Sequence, residues 1–247
     1  MISTNIKLTL SYDGTNYHGF QRQKNALGIQ EVIENCLSKL YSEKIGITAS
    51  SRTDAGVHAR GQTVNYYTAE HNIPEERIVY ALNSVLPEDI RVLESEVVPL
   101  EFHSRHDAQS KVYSYTIDRG RFHSVFWRLY SCHIPFSLDV AAMAEGAQYL
   151  LGRHDLSSFC AAGCSVISKE REIIKAYWLE KGDLIQFFIE AEGFLYNMIR
   201  IIVGTLIEVG RHKIKPRRVQ EILEARDRKL AGPTAPASGL CLEKVNY

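Results

Sequence analysis

In the stretch SSRTDAGVHARGQ, residues 50–62, a single carboxylate, Asp54, stands between Arg52 and Arg60, with His58 four positions on. A carboxylate in this company is a candidate for the protein's chemistry, and His58 and Arg60 suit contact with phosphate. The same spacing also fits a plain turn, in which Asp bonds nearby backbone and Gly56 takes a positive φ. The loop alone leaves both readings open. The second candidate is Arg200, inside the most apolar run of the chain, with Phe194, Leu195, Met198, Ile199, Ile201, Ile202 and Val203 around it. A guanidinium keeps its charge, so burial requires a carboxylate or a set of carbonyls as partner. Asp54 is an attractive acid for it, because its loop has no apolar cover of its own and an arginine neighbour would hold the carboxylate ionised. The alternative is that Arg200 snorkels to solvent.

Other chemistries find little support. The nine histidines form no His-x-x-x-His pair with acids at helical spacing, and Cys160 and Cys164 have no matching second pair, so no metal site is expected. Neither a phosphate-cradling Gly-x-x-x-x-Gly-Lys-Ser/Thr loop nor a Gly-x-Gly-x-x-Gly turn follows a strand, and there is no Gly-x-Ser-x-Gly elbow.

These candidates need elements to position them. IKLTLSY (6–12) alternates, placing Ile6, Leu8, Leu10 and Tyr12 on one face of a strand. Ile29, Val32, Ile33, Cys36, Leu37 and Leu40 predict an amphipathic helix over 29–41. Strands are expected near 44–49 and 61–68 with the Asp54 loop between them, then a helix after Pro74 and a strand near 90–98. That order, β-α-β-β-α-β, is the ferredoxin-like unit. It recurs as a strand in KVYSYTID (111–118), a helix from a Ser137 cap to Leu151, and a hairpin of 171–180 with 183–192 turning at Gly182. An apolar helix over 194–209, a basic helix from Pro216 and a last strand in GLCLEKVNY follow. The expected fold is α+β, with two ferredoxin-like halves, 1–105 and 106–247, sharing a central mixed sheet.

A chain of 247 residues with 45% hydrophobic and 23% charged residues has the composition of a soluble globular protein. Its net charge is zero, but the charge is polarised. Residues 200–229 hold nine Lys or Arg against four acids, and residues 70–101 eight acids against two arginines. The basic segment is read either as a nucleic-acid face or as a solvated helix surface of mixed charge. Five cysteines without a Cys-x-x-Cys pair, and no export signal, lead us to expect reduced thiols in a cytoplasmic protein. No stretch is long and apolar enough for a membrane span.

Six blocks in order, SYDGTNYHGFQRQ (11–23), SRTDAGVHARGQ (51–62), FHSRHDAQSKVYSY (102–115), LLGRHDLSSF (150–159), GFLYNMIRIIVGTLIEVG (193–210) and GPTAPASGLCLEKVNY (232–247), resemble the signature blocks of the A-type tRNA pseudouridine synthases. One departure is Ser51, where many members have glycine. The resemblance implies the pseudouridine synthase fold and isomerisation of uridine to pseudouridine at positions 38, 39 and 40 of the tRNA anticodon arm. It implies no cofactor or metal, a homodimer, and tRNA as partner. By motif position, Asp54 is the catalytic aspartate and Arg200 its arginine partner. Tyr113 is the active-site tyrosine, Arg52 helps take the base out of the stack, and Leu240 is an apolar wall of the base pocket. The basic helices after Arg211 and the segment with Arg119, Arg121, His123 and Arg128 are expected to meet phosphates.

Two rivals are weighed. A non-catalytic RNA-binding module would share the element order but should carry an aromatic RNP1 run on the third strand of a half, and GQTVNYYT does not fit one. A hydrolase using the same aspartate would release free uracil.

Overall fold

The computed structural model describes residues 4–69, 73–164 and 166–247. Along the chain run β1 (Thr4–Tyr12), α1 (Ile29–Tyr41), β2 (Ile47–Ala49), β3 (His58–Thr68), α2 (Glu75–Asn83), β4 (Ile90–Val98) and β5 (Ser110–Asp118). They are followed by β6 (Cys132–His133), α3 (Val140–Gln148), β7 (Gly152–Asp155), β8 (Glu170–Lys181), β9 (Leu184–Ala191), α4 (Met198–Gly210), α5 (Arg218–Ala225) and β10 (Leu240–Asn246). The class is α+β, as expected. The chain divides into two compact units, residues 1–109 with 241–247, and residues 110–240. No helix among the described residues is long and apolar enough to cross a membrane.

In the first unit β1 lies antiparallel between β4 and β3, and β2 pairs with the far half of β3. The strand order β4-β1-β3-β2 with two helices is the ferredoxin-like arrangement. The alternation of β1 has its predicted consequence, since Ile6, Leu8, Leu10 and Tyr12 are all buried. Against them lie the apolar faces of α1 (Ile29, Ile33, Leu37) and α2 (Ile78, Leu82), each at most 1% exposed. The strand β3 starts at His58, three residues earlier than expected, because its first residues have a further neighbour. Cys241 and Leu242 of β10 pair in parallel with His58 and Ala59. Read from element order as the closing strand of the second half, β10 thus groups from Cys241 onward with the first unit. Its end is fixed there by Gln109 N–H donating to Asn246 O (2.9 Å) and Tyr247 Oη donating to Ser104 O (2.8 Å).

In the second unit the antiparallel order is β5-β9-β8-β7, with β6 a short parallel strand beside β5. The hairpin of β8 and β9 turns at Gly182, whose φ is +60°. Two helices are shorter than their hydrophobic patterns predict. α3 starts after Asp139, whose side chain accepts from Ala142 N–H, so aspartate rather than Ser137 is the cap. α4 starts at Met198 because Asn197 adopts a left-handed φ of 57°, which leaves 193–197 as a loop. The strand β7 was not anticipated; its four polar-led residues, GRHD, give no alternating signal.

Candidate active site

Asp54 lies half-buried in the loop between β2 and β3, and Arg52 beside it is exposed. The loop is held from both sides. Phe20 N–H donates to Thr53 O (3.0 Å), Gly56 N–H to Tyr17 O (3.3 Å), and the Tyr12 and Thr53 hydroxyls are hydrogen-bonded at 2.8 Å in a buried position. On the other flank Gln62 takes the Ser50 hydroxyl on its Oε1 (2.7 Å) and donates from Nε2 to Ser51 O (2.9 Å). Asp54 does form a turn, with Val57 N–H donating to its carbonyl (3.1 Å), and Gly56 has φ +74°. That turn bond uses main-chain atoms. Its clasp is the block 11–23, which explains two glycines there. A Cβ on Gly14 would sit 2.0 Å from Val57 O, and one on Gly19, itself at φ +92°, 2.9 Å from Thr53 O. Tyr17 anchors the clasp by donating from Oη to Asp89 (2.7 Å). Burial, then that bond to a carboxylate, pushes its phenol pKa up, so it stays a donor at all working pH.

The second unit carries Tyr113, Arg200 and Leu240. Tyr113, 5% exposed on β5, meets Phe194 edge to face with centroids 5.1 Å apart. Arg200 lies in the first turn of α4, where its Nε donates to Ala235 O (2.7 Å) and its Nη1 to Asn197 Oδ1 (2.8 Å). The carbonyl partners required of a guanidinium in an apolar helix are therefore present. Ala235 belongs to a strap, residues 232–236, laid across α4. A Cβ on Gly204 would come within 1.7 Å of Pro233 O, so only glycine lets the strap lie so close. Gly232 N–H donates to Thr205 Oγ1 (2.9 Å), Ala235 N–H to Arg200 O (3.0 Å), and the buried Tyr115 Oη to Pro236 O (2.8 Å). Leu240, 6% exposed, comes after one 3-10 turn, Ala237–Gly239, as the first residue of β10. Neither the strap nor Asn197 was singled out in the sequence, where the signal was the run GPTAP alone.

The basic segment is partly spent on local structure. Lys213 and Arg211 pair with Glu208 and Arg218 with Glu221. Arg228 donates to Ala231 O, Gly232 O and Thr234 Oγ1, fastening one end of the strap. Lys215 and Arg217 remain exposed and outside any ion pair among the described residues. Of the acidic segment 70–101, residues 70–72 lie outside the described residues.

A model of the tRNA pseudouridine synthase family matches residues 9–107 and 147–247. The chain belongs to this family. It is 50% identical over 98% of its length, and 99% of the relative's, to the tRNA pseudouridine synthase A of Moorella thermoacetica. The protein of that name from Clostridium acetobutylicum is 48% identical over 98% of this chain and 99% of its own. That from Bacillus pumilus is 46% identical over 98% of each. As a member of the family the protein is an isomerase that converts uridine in tRNA to pseudouridine. The non-catalytic module and the uracil-releasing hydrolase both give way to it. The reaction breaks the bond between ribose C1′ and N1 of uracil, turns the base, and rejoins it through C5, with no net change in composition.

Proposed function

We propose that the uridines isomerised lie at positions 38, 39 and 40 in the tRNA anticodon arm, and that Asp54 is the catalytic carboxylate. The reading of Asp54 is carried by its loop: it is fixed on both flanks by the buried contacts of Thr53, Ser50 and Ser51, as a group that must meet one atom of a substrate should be. A carboxylate suits the reaction as nucleophile toward C1′ or as base toward the ribose. Arg200 would keep that charge in place and stabilise it. Its own orientation is supported by Ala235 O and Asn197 Oδ1.

Tyr113 would stack on the target uracil and relay a proton through its hydroxyl. Arg52, exposed next to the loop, would help hold the nucleotide out of its stack, a step the chemistry needs because the reacting atoms are otherwise covered. Leu240 would wall the base pocket. A homodimer in the cytoplasm, working without cofactor or metal, completes the proposal, and it is supported by the resemblance of the six sequence blocks.

The decisive experiment incubates the protein and its Asp54→Ala variant with unmodified tRNA transcript, then maps pseudouridine by carbodiimide treatment and primer extension. Stops at the anticodon-arm uridines with wild type, reduced at least ~10³-fold in rate in the variant while tRNA binding persists, are expected. Stops only elsewhere in the tRNA would overturn the position, and an active Asp54→Ala variant the role.

A further inference from the structure

The most exposed large apolar side chains of the second unit's described residues, apart from Ile167, cluster in one loop between β5 and β6. Phe122 is 78%, Val125 68% and Phe126 87% exposed. The loop is not loose. The carboxylate of Asp118, itself 2% exposed, accepts from Gly120 N–H and Ser124 N–H (both 2.8 Å). The rings of His123 and His133 stack with centroids 4.8 Å apart and 4° between planes. His123 Nε2 bonds the Ser131 hydroxyl (3.0 Å), whose oxygen donates on to Trp127 O (2.8 Å). A fold that spends a buried carboxylate and a histidine stack to hold phenylalanines in water is presenting them.

The charge around them points to one kind of partner. Residues 119–138 contain Arg119, Arg121 and Arg128, and no acid. Arg119 is taken by Glu180 (2.9 Å), but Arg121 and Arg128 are exposed, and Arg121 lies 5.3 Å over the Phe122 ring. Aromatic faces interleaved with arginines, in a segment that carries no acid of its own, fit a polyanion with unstacked bases. They fit a self-contact poorly, because two copies of this crest placed face to face would set arginine against arginine. We propose that the 121–128 crest is a second contact surface for tRNA, away from the reacting nucleotide: Phe122 and Phe126 stack on unpaired bases, and Arg121 and Arg128 meet the flanking phosphates. The proposal rests on tRNA being the substrate and not on which uridine is modified.

The test compares Phe126→Leu, Phe126→Trp and the double variant Arg121→Gln/Arg128→Gln by filter binding to full-length tRNA over a range of salt. Each variant is checked by sedimentation for mass and by thermal melting for fold. Leucine keeps the apolar character but loses the π face, so Kd should rise about tenfold or more, whereas tryptophan should hold it within about twofold of wild type. The arginine variant should weaken binding and flatten the slope of log Kd on log salt by about 1.5. Mass and melting temperature should not change. Equal affinity of the leucine and tryptophan variants, or an affinity loss that comes with a change in mass, would overturn the proposal; the second result would make the crest a contact between copies. Because pseudouridine is mapped in the same samples, modification outside the anticodon arm with these affinity effects intact would sink the positional reading and leave this one standing.

Discussion

The two units present their candidate groups by different means. In the first, Asp54 sits on a short loop fixed by main-chain and hydroxyl bonds from a segment about 40 residues earlier, Tyr12 to Phe20, and by Gln62 a few residues later. In the second, Arg200 stands on the first turn of a buried helix and is turned by a strap drawn from 35 residues later. A loop has no rigidity of its own and must borrow it from its surroundings, and here the clasp supplies it. A helix is rigid already, but a long side chain on it still needs its tip directed, so the strap offers a carbonyl. In both cases the device depends on a glycine where two backbones nearly touch.

That parallel predicts the largest effects. Gly204→Ala would place a methyl 1.7 Å from Pro233 O, and Gly14→Ala one 2.0 Å from Val57 O, with backbone rather than a flexible tip in the way each time. Each should cost about 3 kcal/mol in thermal unfolding. Displacing the strap or the clasp by about an ångström should also lower kcat on the order of 100-fold. If Gly204→Ala loses stability but keeps its kcat, the strap holds the fold together without aiming Arg200, and the comparison fails on that side.

A finer test isolates one bond of the clasp. Tyr12→Phe removes the hydroxyl that meets Thr53, next to Asp54, whereas Tyr41→Phe removes a hydroxyl bonded to Tyr66 (3.0 Å) in the same unit. Both bonds are buried, so each substitution should lower stability by about 1 kcal/mol. Only Tyr12→Phe should also lower kcat, by about tenfold at unchanged KM. Single-turnover rates read this directly, and equal rates in the two variants would show that the Tyr12 bond matters to the fold alone.

How much of this could be read in the sequence follows from how local each signal is. The β1 alternation and the α1 stripe depend on side chains within one element, and both emerge where expected. Asp54 and Arg200 were legible as a carboxylate in a bare loop and a cation in an apolar run. The strap was not, because the information in GPTAPASG lies in Gly204, about 30 residues away, whose missing side chain makes room for it. The start of α4 was misplaced because hydrophobic periodicity continues through Phe194 and Leu195, and the left-handed turn at Asn197 leaves no mark on that pattern. The pairing of β10 with β3 is likewise a property of two distant backbones, which no periodicity records.

The crest differs from the Asp54 loop in resting on a titrating anchor. Burial opposes the charge of Asp118, but the N–H donations of Ser124 and Gly120 and the neighbouring His123 and His133 outweigh it and hold its pKa below the ordinary value of 3.8. The folded loop therefore favours the ionised carboxylate. This stabilisation is complete above the unfolded value and is lost as pH falls through the lower folded one. Protection of the Gly120 and Ser124 amides from hydrogen exchange should accordingly fall in that acid window. In Asp118→Asn the same protection should be lower at neutral pH and lose its acid step; a step that survives would assign it to another group.

The smallest effects should separate arginines that serve the fold from one that serves binding. Arg228 gives its guanidinium to Ala231 O, Gly232 O and Thr234 Oγ1, whereas Arg217, at the start of α5, is exposed and in no ion pair among the described residues. Replacing Arg228 with glutamine should loosen the strap, lowering the melting temperature and leaving the salt slope of tRNA binding as it is. Arg217→Gln should do the reverse, with an unchanged melt and a slope flatter by about one counterion. Charge reversal of Arg217 together with Arg218 should enlarge that loss, since two cations become anions, and should lower the melting temperature, because Glu221 would then face a like charge in place of its partner at 2.7 Å. Unchanged tRNA affinity in the reversed variant would mean that this stretch is a solvated helix surface of mixed charge, the other reading its composition allowed.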